Sequence, residues 1–109
     1  MSCPSIQGLV LDAESQRAVE EIRNKANLAK FMGSAVSIGV MVNIFSTRSS
    51  LNMAYNIYQT DFQSFSKSMA GIPVIYRGQV EGISARQHLR SIDYKQKVFW
   101  KAVHDGCRL

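Results

Sequence analysis

Residues 31–47 read FMGSAVSIGVMVNIFST, and this uncharged stretch decides between two folds. As a helix, its seventeen residues would be about 26 Å long, just under the roughly 30 Å hydrocarbon core of a bilayer. Lys30 and Arg48 flank the stretch, and their side chains could extend to the headgroups on either side. The helical interpretation predicts a mainly α protein with one transmembrane helix at residues 29–47.

The same stretch also has the pattern of a strand. From Val36 to Ile44, β-branched residues occupy every second position and smaller or polar residues alternate with them. Such a period of two is typical of a strand with one apolar face. The alternative hypothesis is a small soluble α+β domain, in which residues 35–45 and 72–76 are strands of one sheet and residues 49–70 form the crossover helix. We favour the transmembrane helix, because a helix that is apolar on all sides suits a bilayer, and keep the α+β domain as the alternative.

Small residues give the predicted transmembrane helix a surface for packing. Insertion would be marginal, because Asn43 and several hydroxyl side chains oppose it. Pairs of small residues four positions apart let a second helix approach closely. The predicted helix-packing residues are Gly33 with Ser37 and Ala35 with Gly39.

The segments on either side of residues 29–47 are expected to be helical. Residues 1–28 form the predicted N-terminal polar helix region, with Asp12 as the N-cap. Residues 48–71 form a predicted amphipathic helix, because apolar side chains recur there at steps of three and four. We expect this stripe to contact a partner subunit or a membrane interface, with an internal core as the common alternative. The stripe comprises Leu51, Tyr55, Tyr58, Phe62, Phe65 and Met69.

Residues 72–109 are predicted to hold an extended segment at 72–76, a turn region at 78–82 and one basic helix from Ser84 to Gly106. Thirteen lysines and arginines against eight acidic residues give the chain a net charge of +5. The predicted basic surface comprises Arg86, Arg90, Lys95, Lys97 and Lys101. It could meet anionic lipid headgroups, whereas nucleic acid is not expected because acidic residues dilute the charge.

No pattern of a catalytic or metal site is present. Cys3 and Cys107 lie at opposite ends without a CxxC spacing, and His88 and His104 are sixteen residues apart. The sequence also has no phosphate-binding glycine loop and no GxSxG motif. We therefore expect no catalytic residue, no cofactor and no metal.

These features together predict a small non-catalytic accessory subunit of a multi-subunit membrane complex, acting in assembly or structural stabilisation. Its expected partners are other subunits of the complex and the lipid bilayer, including anionic lipid. The compartment predicted on general grounds is the mitochondrial inner membrane, where the complex would belong to the respiratory chain. The alternative function is a soluble α+β interaction module that binds an acidic protein partner or nucleic acid.

Overall fold

Four helices and two short strands make up residues 5–31, 55–71 and 74–108, the parts of the chain that this computed structural model describes. In chain order the elements are β1 (Ile6–Leu9), α1 (Ala13–Phe31), β2 (Tyr55–Ile57), α2 (Gln59–Met69), α3 (Val74–Arg90) and α4 (Tyr94–Cys107). The C-terminal helix α4 packs against α2, α3 and β1, and α1 packs against α3. Helix α4 therefore lies at the centre of the fold.

The two strands form an antiparallel pair that holds the beginning of the chain. Ile6 lies opposite Ile57 and Leu9 opposite Tyr55, and the register shifts between these two pairs. Gly8 lies within the shift with a φ of 67°, a conformation that side chains with a Cβ rarely adopt. Its N–H donates to Asn56 Oδ1 at 2.9 Å. The sequence pattern did not predict this pair.

Helix α1 begins where the sequence predicts. The Ser15 N–H donates to Asp12 Oδ1 at 2.8 Å, so Asp12 caps the helix. Ala18 and Ile22 are buried one turn apart, as expected from their spacing. The predicted N-cap of this helix is confirmed, and Ala18 and Ile22 form the part of its apolar face that the structure describes.

The prediction of an extended segment at residues 72–76 is wrong for residues 74–76, which form the first turn of α3. Gly78 and Gly82 suggested turns, yet both lie inside this helix, and a Cβ at either would meet open space. A glycine costs a helix about 1 kcal/mol relative to alanine, which the burial of Val80 and Ile83 offsets. The sheet of the α+β alternative, which requires a strand at 72–76, is therefore also contradicted.

The predicted single basic helix is two helices. Helix α3 ends at Arg90, and Asp93 caps α4 by accepting a hydrogen bond from the Gln96 N–H at 3.1 Å. The Asp93 side chain accepts a hydrogen bond from a backbone N–H that would otherwise bond within a continuous helix, so the chain turns between α3 and α4.

One aromatic core connects the N-terminal and C-terminal parts of the chain. The rings of Phe99 and Trp100 meet edge to face with centroids 4.9 Å apart, a favoured arrangement of aromatic pairs. Phe62 contributes a third ring, 6.3 Å from that of Phe99. The largest fully buried side chains are Trp100, Phe65, Phe99, Leu9, Leu11, Ile22, Ile57, Met69, Val19 and Val80.

The predicted fold class with one transmembrane helix is wrong. In a single-span protein, residues before and after the span lie on opposite sides of the bilayer, yet Trp100 Nε1 donates to Ser15 Oγ at 3.1 Å. Among the described residues, no helix is both long enough and apolar enough to cross a membrane. Residues 29–31 belong to α1, which packs against α3.

Several sequence predictions concern residues that the structure does not describe. Most of the predicted transmembrane helix at residues 29–47 and the whole alternative strand at residues 35–45 lie outside the described residues. The same holds for the predicted helix-packing residues Gly33, Ala35, Ser37 and Gly39 and for Leu51 of the stripe.

Candidate interaction surface

The connection between α3 and α4 is held by hydrogen bonds at both helix ends. Ser91 Oγ donates to the Gln87 carbonyl at 2.6 Å, and Lys97 Nζ donates to the His88 carbonyl at 3.1 Å. The Gln87 carbonyl also accepts from the Ser91 N–H at 2.9 Å, and the Lys97 bond gives a side-chain partner to a carbonyl in the last turn of α3. Together with the Asp93 cap on α4, they fix residues 91–93 in one conformation.

Three large apolar side chains project from this fixed turn into solvent. Leu89 is 80% exposed, Ile92 96% and Tyr94 78%. We call these three residues the apolar tip. In the single helix predicted from Ser84 to Gly106, Leu89 and Ile92 would share a face with Phe99 and Val103, which are fully buried. The break at Asp93 separates the two pairs, because it ends the helical periodicity that connected them.

The predicted basic surface is divided by ion pairs and hydrogen bonds. Arg90 Nη2 lies 3.0 Å from Asp12 Oδ1, and Lys101 Nζ lies 2.9 Å from Asp105 Oδ2. Lys97 Nζ donates a hydrogen bond to the His88 carbonyl at the end of α3. Among the described residues, Arg86 and Lys95 have neither an ion pair nor a hydrogen bond, and both are exposed. We call Arg86 and Lys95 the basic rim, because they flank the apolar tip in sequence on α3 and α4.

The aromatic stripe divides between core and surface. Phe62, Phe65 and Met69 are at most 2% exposed and belong to the chain's own core, so they are not available to a partner in this fold. Tyr58 precedes α2 and is 54% exposed. Tyr55 lies in β2 rather than in a helix. The internal core that the sequence left open as an alternative explains the part of the stripe in α2.

A buried hydrogen-bond network joins the start of α1 to α4. Ser15 Oγ donates to Gln96 Oε1 at 2.8 Å and accepts from Trp100 Nε1. Arg90 donates to the Asp12 carboxylate beside it. Partial burial raises the pKa of Asp12, but hydrogen bonds from Arg90 and Ser15 outweigh this effect and hold the pKa below its usual value. This network is structural, since it positions α3 and α4 against the N-terminal part of the chain.

A second polar region lies along α3 and α4. His104 Nδ1 is 3.3 Å from Asp105 Oδ1, and His104 Nε2 is 3.7 Å from Glu81 Oε1. An open cavity of about 230 Å³ is lined by Ala85, His88, Lys101, His104, Asp105 and Arg108. Partial burial and the nearby Lys97 and Lys101 lower the pKa of His88. The described residues contain no group of histidine, cysteine or acidic side chains placed to hold a metal ion.

The thiol of Cys107 lines a separate open cavity of about 380 Å³, together with Glu81 and Arg108, and is poorly suited to act as a nucleophile there. Cys107 is 2% exposed, and burial followed by the charge of Glu81 raises the pKa of its thiol to about 12. A thiol reacts as the thiolate, which is scarce at neutral pH when the pKa is so high. The imidazole and carboxylate of the second polar region therefore have no reactive partner in Cys107.

A capping motif in the sequence could have revealed the apolar tip. Asp93 is followed three residues later by Gln96, and an N-cap residue followed three positions on by Glu or Gln marks a helix start. That signal would have placed Ile92 and Tyr94 at a turn between two helices.

Comparison with protein-family models, with curated proteins and with solved structures found no match to this chain.

Proposed function

We propose that the chain is a non-catalytic accessory subunit that joins a larger assembly through the apolar tip. The exposure of Leu89 at the end of α3, Ile92 in the turn and Tyr94 at the start of α4 is the observation that carries this proposal. Apolar side chains grouped on the surface of a small protein are typical of interaction sites. Tyrosine is also enriched among the residues that dominate binding energy.

The rigidity of the turn supports the same proposal. Residues that are already fixed before binding lose less conformational entropy when a partner covers them. Ser91 is 3% exposed and bonded to α3, and Asp93 is bonded to α4. The apolar side chains on either side of these residues are thus presented on a scaffold that binding does not need to order.

The expected strength of binding follows from the size of the apolar tip. Complete burial of one such side chain contributes about 1.5–3 kcal/mol, so the three contribute on the order of 5–9 kcal/mol. Association costs roughly 4–15 kcal/mol in lost translational and rotational freedom. The apolar tip alone would therefore give weak binding, and further contacts around it are needed for a stable complex.

A triple substitution at the apolar tip tests the proposal. Leu89→Ser, Ile92→Ser and Tyr94→Ser remove the apolar surface at exposed positions, so the fold should persist. Val74→Ser with Ile75→Ser is the matched control, because these residues are 72% and 68% exposed at the other end of α3. On native gels of extracts from the source organism, we expect the tagged wild type and the control to migrate in a large assembly and the triple variant as a monomer. A wild type that migrates alone, or a triple variant that remains in the assembly, would refute the proposal.

The compartment and the identity of the assembly remain predictions. The mitochondrial inner membrane was expected from the sequence on general grounds, and the proposal made here does not include a transmembrane helix.

A further inference from the structure

We infer that the partner bound at the apolar tip is an acidic segment of another protein, with carboxylates placed around apolar side chains. This inference rests on the proposed function and adds the chemistry of the partner. It is carried by the charged residues that flank the apolar tip in the sequence.

The segment that contains the apolar tip is strongly basic. Residues 86–97 hold Arg86, Arg90, Lys95 and Lys97 against the single acidic residue Asp93. Arg90 is paired with Asp12, but the two residues of the basic rim have no ion pair among the described residues. Unpaired cations beside an apolar surface favour a partner of opposite charge, because complementary potentials speed encounter and exclude basic partners.

The one acidic residue of the segment distinguishes a protein partner from a bilayer. Asp93 is exposed and lies between Ile92 and Tyr94 in the sequence, so insertion of both side chains into hydrocarbon would take its carboxylate with them. A charged carboxylate inside a membrane is costly. At a protein interface, the same carboxylate can stay hydrated at the edge while it continues to cap α4. These observations favour an acidic protein segment over anionic lipid.

Model peptides and vesicles test the inference with the purified full chain. The probes are a fluorescein-labelled amphipathic helical peptide of leucine and glutamate, the same peptide with lysine in place of glutamate, and vesicles of phosphatidylcholine with or without phosphatidylserine. We expect the glutamate peptide to bind and the lysine peptide and both vesicles not to bind. The affinity should fall several-fold as the salt concentration rises from about 0.05 to 0.5 M, because exposed charges are screened.

Charge variants locate the binding site. Arg86→Gln with Lys95→Gln lowers the net charge by two and should weaken binding of the glutamate peptide about tenfold, and neither substitution breaks a described ion pair. Lys67→Glu, at an exposed position on α2, is the control for a changed net charge and should bind nearly as well as the wild type. Asp93→Asn keeps a capping side chain and should bind the glutamate peptide more tightly because it removes the like charge.

Three results would overturn the inference: no binding of the glutamate peptide, equal binding of the glutamate and lysine peptides, or stronger binding to the phosphatidylserine vesicles, which would identify a bilayer as the partner. The native-gel experiment separates this failure from failure of the proposed function. If the chain migrates in an assembly that the triple substitution disrupts, but does not bind the glutamate peptide, the proposed function holds and the partner is not an acidic segment.

Discussion

Replacement of Ser15 by alanine should destabilise the fold by more than the loss of one hydrogen bond, because the Ser15 hydroxyl bonds to both Gln96 and Trp100. Ser15 is completely buried, and its hydroxyl is the acceptor for the indole N–H of Trp100, which is also completely buried. An unsatisfied buried donor costs about 1–3 kcal/mol, and the lost hydrogen bond to Gln96 adds about 1 kcal/mol. The better helix propensity of alanine offsets roughly 0.5 kcal/mol. We therefore expect Ser15→Ala to lower the free energy of unfolding by about 2 kcal/mol.

Urea unfolding followed by Trp100 fluorescence measures this change, and Ser64→Ala provides the matched control. Ser64 is exposed on α2, so its replacement should alter the free energy of unfolding by at most about 0.5 kcal/mol. In thermal unfolding, the Ser15 variant should melt roughly 8–16 °C lower. A Ser15 variant as stable as the Ser64 variant would refute the claim that α1 and α4 share a buried hydrogen-bond network.

The free-energy cost of Ser15→Ala should depend on whether Trp100 is present, and a double variant measures this dependence. In a Trp100→Phe background there is no indole donor to leave unsatisfied, so Ser15→Ala should cost about 1 kcal/mol less there than in the wild type. Circular dichroism replaces fluorescence for these variants. Equal costs in both backgrounds would show that Ser15 and Trp100 do not interact.

Three further predictions follow from contacts of single residues. Gly106→Ala should lower stability by about 1–2 kcal/mol in urea unfolding, because a Cβ there would lie 2.9 Å from the buried Phe65 ring, whereas Gly82→Ala, in open space, should raise it by about 0.5–1 kcal/mol. Asp12→Asn should be less stable than the wild type at neutral pH, and this difference should shrink as the pH falls through the folded pKa of Asp12. A carboxyl whose pKa is lowered by folding stabilises the fold above its unfolded pKa and stops doing so once it is protonated in the folded chain. A difference that does not change with pH would contradict this account. The Cys107 thiol, with a pKa of about 12, should resist iodoacetamide at pH 8 in the folded chain and react in urea, as read by peptide mass spectrometry; rapid labelling of the folded chain would contradict its burial.

Local signals in the sequence predicted some helix positions correctly. Asp12 marked the start of α1, and the spacing of Phe62, Phe65 and Met69 marked the buried face of α2. These signals are reliable because capping and periodicity depend on residues close in sequence. Capping and periodicity do not show what packs against an apolar face. We expected a partner subunit or a membrane to cover this face of α2, but the chain's own core covers it.

Contacts between residues far apart along the chain could not be predicted from local sequence patterns. Gly78 and Gly82 suggested turns, but burial of neighbouring residues outweighs their low helix propensity in α3. The hydrogen bond from Trp100 to Ser15 joins residues 85 positions apart, and no local pattern predicts such a bond. The turn between α3 and α4 has a local signal in the sequence, since Asp93 followed by Gln96 is a capping motif that ends a continuous helix.

Photo-cross-linking at the apolar tip tests the central claim most directly. A benzophenone amino acid at Ile92, which is 96% exposed, should cross-link to another polypeptide in cells of the source organism. The same probe at Gln63, exposed on α2, should give little or no cross-linked product. Cross-linking that is absent at Ile92, or equally strong at both positions, would contradict the claim that the turn between α3 and α4 is the partner-binding surface.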